Sequence, residues 1–84
     1  MFKAVHKDEI KVPGHIDYLG ELRNFVTKTG KKYKFPESVV NAFKLSIDEA
    51  ATNIIKHAYR DEEGDITMRI VVRKNSMTVA LIDQ

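Results

Sequence analysis

Residues 36–59, PESVVNAFKLSIDEAATNIIKHAY, constrain the fold more than any other part of this chain. Apolar side chains recur at Val40, Phe43, Ile47, Ala50/Ala51, Ile54 and Ala58. Steps of three and four place them on one stripe of an α-helix, and such a stripe must be buried against another layer. Pro36 suits the first turn, where a backbone N–H would have no helical partner. At ~100° per residue, with Glu49 as origin, the stripe centres near ~150°, Asn53 lies near ~40° and His57 near ~80°. Glu49, Asn53 and His57 are therefore expected to climb one shoulder of the helix, from the solvated side to the edge of the core. Thr52, Lys56 and Arg60 hold the solvated side. Leu45 falls there too and breaks the pattern.

The remaining chain is short. Its 84 residues make room for one small domain, residues 1–84, whose core buries little surface. A net charge of +2, from 14 basic and 12 acidic residues, makes no demand for nucleic acid. The absence of cysteine rules out disulfide and thiolate chemistry and is compatible with a cytoplasmic protein. No apolar run reaches membrane-spanning length, and no signal-peptide core follows Met1.

Before the long helix, Phe2/Ala4/His6 and Ile10/Val12 alternate, and Glu9 to Val12 is the better strand, closed by Pro13-Gly14. Ile16, Leu19, Leu22 and Phe25/Val26 predict a first helix over residues 15–29, with Gly20 a weak point inside it and Gly30 as its stop. Lys31 to Phe35 reads as a basic linker whose Tyr33 and Phe35 rings cap the core. After the long helix, Gly64 can supply a positive φ in a polar turn. From Asp65 to Arg73, Ile66, Met68, Ile70 and Val72 share one strand face. A turn at Lys74-Asn75-Ser76 leads to a strand over residues 77–82 that is apolar on both sides and calls for cover on both faces. The class is α+β, two layers of helix on sheet, in the order strand, helix, helix, strand, strand.

Taken alone, Glu49 and Asn53 are an ordinary surface pair four residues apart, with His57 a boundary histidine. The wider wording DEAATNIIKHAY is more specific. Through Glu49, Ala50, Thr52, Asn53, His57, Ala58 and Tyr59 it resembles the N-box helix of the Bergerat-fold (histidine kinase-like) ATPases. Within that superfamily it is most similar to the bacterial anti-sigma-factor serine kinases.

That resemblance implies an incomplete Bergerat fold, the N-terminal portion of the family's domain, and a set of roles. Glu49 would be the catalytic base. Asn53 would bind nucleotide and give magnesium its amide oxygen, and His57 would lie near the phosphates. Asp83, at the end of the last strand, would accept a hydrogen bond from the adenine amino group. Arg23, on the first helix, would contact protein partners, which in such kinases are a sigma factor and an anti-sigma antagonist protein. Mg-ATP is the cofactor of the complete family site. The glycine motifs and lid that follow the aspartate in the resembled family are absent from these residues, so little turnover is expected of this chain alone. The other reading is a non-catalytic interaction module that binds no cofactor. An uncovered edge on the last strand also predicts homo-oligomers formed through exposed strands.

Overall fold

A computed structural model of the protein describes residues 5–58, 64–74 and 76–83. Its elements in chain order are β1 (His6–Pro13), a 3-10 turn (Ile16–Tyr18), α1 (Leu19–Lys32), α2 (Glu37–Ala58), β2 (Asp65–Arg73) and β3 (Ser76–Asp83). The strands form one antiparallel sheet in the order β1-β2-β3, and both helices pack on one face of it. This is the expected α+β arrangement, consistent with part of a Bergerat-type ATPase fold.

The central strand shows why. Ile66, Met68 and Ile70 of β2 are fully buried and Val72 nearly so, while Asp65, Arg69 and Arg73 are exposed. A period of two thus gives the sheet one wet and one dry face. Leu22 and Val26 of α1, with Val40, Ile47 and Ala51 of α2, close over the dry face. Burying a side chain such as Leu22 or Ile70 contributes about 1.5–3 kcal/mol each. On the wet face Arg69 Nε donates to Glu9 Oε2 at 2.6 Å, directly across the β1–β2 pair.

The outlines of the elements differ from expectation in three places. Strand β1 is longer than Glu9 to Val12 and runs through Pro13, which a strand end on a sheet edge tolerates. Gly30 does not stop α1, which continues to Lys32. Gly30 is instead buried under Val40, and a Cβ built on it would stand 2.3 Å from Val40 Cγ2. The stop lies at Lys34, with φ of 62°. There Lys34 N–H donates to the Lys31 carbonyl at 3.2 Å and Phe35 N–H to the Gly30 carbonyl at 2.9 Å. These are the two bonds of a Schellman motif, with lysine in the place glycine usually takes.

The third difference concerns cover. Strand β3 is covered on one face only: Val79 and Leu81 are half-buried toward α2, whereas Thr78 and Ala80 are exposed. Both helices lie on the other side of the sheet, so nothing among the described residues roofs that face. The Gly64 carbonyl accepts from Gly14 N–H at 2.7 Å, tying the start of β2 to the end of β1. Tyr59, the polar turn at 60–63 and Asn75 lie outside the described residues.

Candidate functional site

The course of the helices decides which groups can meet. Just past α1, the Tyr33 ring lies 4.9 Å from the His6 ring at the start of β1, so α1 runs from the Pro13 end of the sheet to the His6 end. Helix α2 begins there, with Val40 seated on Gly30, and runs back. From Ala58 to Gly64 the chain can reach at most ~22 Å, less than the ~33 Å length of α2. The last turns of α2 therefore return to the Pro13 end, where Gly64 sits. Asp83 is paired with Ile66 at that same end. Asn53 and His57 on α2 and the backbone of Asp83 on β3 thus share one end of the sheet.

The shoulder itself is more solvated than its angular position suggested. Glu49, Asn53 and His57 are all exposed. Placing His57 at the edge of the core is corrected by this: β3 is the last strand of the sheet, and nothing described beyond it rises to cover that side of α2. Glu49 and Asn53 are nonetheless brought together. With Asp48 and Thr52 they line a shallow hollow, wide open to solvent, on the outer face of α2. His57 is not among its lining residues. Leu45 is exposed, as its position on the solvated side requires.

A second hollow, of about 440 Å³, lies where α2 meets β3. Phe43, Ile47, Ala50 and Ile54 line it from the helix, Val79 and Leu81 from the strand. It is mostly apolar, with Ser46 as its one polar lining residue. Ala50 is exposed into this space while its neighbour Ala51 is fully buried, which resolves the Ala50/Ala51 step of the stripe.

Arg23 is not an ordinary solvated side chain. Its Nη1 donates to Asp48 Oδ1 at 2.8 Å, joining α1 to α2 beside the polar hollow. Sequence reasoning missed Asp48 and set Thr52 on the solvated side, whereas Thr52 is half-buried. No periodicity could reveal Asp48, because its partner stands 25 residues away on another helix. Of the residues lining the polar hollow, Asp48 is paired with Arg23, and Glu49, Thr52 and Asn53 bring a carboxylate, a hydroxyl and an amide, the oxygen ligands that a hard cation such as magnesium prefers.

A family profile described as a histidine kinase-like ATPase domain matches residues 12–84. The chain belongs to this family. The histidine kinase-like ATPase match takes in α1, α2, β2 and β3, and with them Arg23, Glu49, Asn53, His57 and Asp83. Among curated proteins it is similar to serine-protein kinase RsbW of Bacillus thuringiensis (strain Al Hakam), of Bacillus cereus (strain AH820) and of Bacillus anthracis. Each is 26% identical over 83 residues, which cover 99% of this chain and 52% of the relative. This histidine kinase-like ATPase chain therefore spans about half the length of the curated relatives it matches.

Proposed function

We propose that these residues form the nucleotide-facing helix and strands of an ATP-dependent serine/threonine protein kinase of the anti-sigma-factor class, a cytoplasmic regulator of transcription. One observation carries this reading: Glu49 and Asn53 line a single oxygen-rich hollow on α2 of a histidine kinase-like ATPase domain. The serine-kinase part draws its support from the relatives' name.

Each role follows from the chemistry of its side chain. Mg-ATP supplies the transferable phosphoryl group and, through its metal, neutralises charge on the phosphates. The Asn53 amide oxygen offers one ligand to a cation that keeps most of its waters. The Glu49 carboxylate, one turn earlier, accepts the proton of an incoming serine hydroxyl. Phosphoryl transfer depends on positioning and electrostatics more than on covalent help from the protein, so two groups held on one rigid helix suit it. His57, exposed one turn beyond Asn53, would donate to a phosphate oxygen. Asp83 would accept from the adenine amino group, and the apolar hollow of Ala50, Ile54, Val79 and Leu81 would take the ring. Arg23 faces the protein partners, a sigma factor and its antagonist.

A second reading, a non-catalytic interaction module, is favoured by the exposure of Glu49, Asn53 and His57. Calorimetric titration of the native chain and of Asn53→Ala with Mg-ADP separates the two. Magnesium-dependent binding that weakens at least tenfold in the variant supports the kinase reading. Absence of binding in both proteins supports the module.

A further inference from the structure

The Arg23–Asp48 pair joins two elements that the proposed function treats separately. Arg23 belongs to α1, the helix assigned to protein partners. Asp48 belongs to α2 and immediately precedes Glu49, and it lines the same hollow as Glu49 and Asn53. The contact is a charge-assisted hydrogen bond of 2.8 Å. Both side chains are only partly exposed, at 40% for Arg23 and 35% for Asp48. Among the described residues Asp48 is the one acidic partner of Arg23, and Arg23 the one basic partner of Asp48.

An arginine side chain left to itself on a helix surface samples many rotamers, and most solitary surface ion pairs do not hold one. This one differs in its setting. Helix α1 and α2 are fixed to each other by the close approach of Gly30 and Val40, so the two side chains meet across a rigid seam. Arg23 also sits inside α1, one turn from the fully buried Val26 and next to the fully buried Leu22, so its Cα has little freedom. Its guanidinium is planar, with five donors in a fixed fork, so an acceptor that orients one nitrogen orients the whole group.

We infer that Asp48 is a positioning residue: it holds the Arg23 guanidinium at the rim of the Glu49–Asn53 hollow, so that the cation offered to a protein partner is fixed relative to the catalytic shoulder. The shape of this unit rests on the two helices alone. Its use in partner recognition rests on the kinase reading. A carboxylate on the partner is the group such a fork would grip, in two parallel N–H···O bonds.

The test is low-temperature nitrogen-15 NMR of the arginine Nη–Hη groups, the donors of this bond, in the native 84-residue chain, in Asp48→Asn and in Asp48→Glu, with Arg23→Lys used to assign the Arg23 signal by its loss. In the native chain the Arg23 signal is expected to stand apart from those of the other arginines, with hydrogen exchange at least fivefold slower than in Asp48→Asn. Asp48→Glu, which keeps the charge on a longer stem, is expected to restore at least half of that protection. Backbone amide spectra of the variants, unchanged beyond the α1–α2 seam, show that each is folded. An Arg23 signal that is the same in native and Asp48→Asn protein overturns the inference, and so does an Asp48→Glu variant that exchanges as fast as Asp48→Asn. No nucleotide is needed in this experiment. A failed Mg-ADP titration would therefore remove the kinase reading without touching the result.

Discussion

Gly30→Ala is the sharpest test of how the two helices meet. In an isolated helix this substitution stabilises by about 1 kcal/mol, because alanine restricts the unfolded chain and suits a helix interior. Here the added methyl would stand 2.3 Å from Val40 Cγ2, with Val40 Cβ and Cγ1 at 3.5 and 3.6 Å. Valine on a helix has one strongly preferred χ1, so Val40 cannot swing its methyl aside cheaply. Its surroundings are closed as well, since Val40 is 7% exposed. Relief must come from moving α1 away from α2, and overpacking of this kind costs about 1–3 kcal/mol. The net expectation is a loss of about 1–2 kcal/mol, the clash outweighing the helix preference. For a chain of this size that lowers Tm by roughly 4–15 °C. Urea and thermal unfolding of native, Gly30→Ala, Val40→Ala and the double variant complete the cycle. The double variant should be more stable than the sum of the single losses predicts, by about 1 kcal/mol or more, because Val40→Ala removes the clashing methyl. A Gly30→Ala protein as stable as native, or strict additivity, would refute the close approach of the helices.

Other expectations follow from single features. Lys34→Gly relieves the left-handed φ of 62° at the end of α1 and should raise stability by about 0.5–1 kcal/mol, read by urea unfolding. Strand β3 carries no charged residue from Ser76 to Ile82, whereas the other edge strand, β1, carries Lys7, Asp8, Glu9 and Lys11 together with Pro13. Charge and proline blunt a sheet edge, so β3 is the edge open to pairing. Light scattering should accordingly show self-association of the native chain at high concentration, reduced in Ala80→Lys; a clean native monomer refutes this. Asn53→Ala should leave the unfolding midpoint within about 0.5 kcal/mol of native, because the side chain is exposed, so that any loss of Mg-ADP affinity reports the site and not the fold.

The sequence by itself determined what local periodicity can determine. The stripe of Val40, Phe43, Ile47, Ala51 and Ile54 announced α2, and the alternation of Ile66, Met68, Ile70 and Val72 announced the central strand and its buried face. Both patterns repeat within a few residues, and no distant group is needed to read them. The wording around Glu49 and Asn53 was legible for the same reason, as a fixed spacing on one helix. The tertiary structure alone decided the rest. Gly30 reads as a helix stop until Val40 is seen against it; only then is it a contact point that admits no Cβ. His57 lies toward the core by angle yet is exposed, because no element among the described residues covers it. Arg23 reads as a solvated residue until α2 brings Asp48 to 2.8 Å. In each case the deciding group comes from another element, and a backbone pattern carries no information about what will stand opposite it.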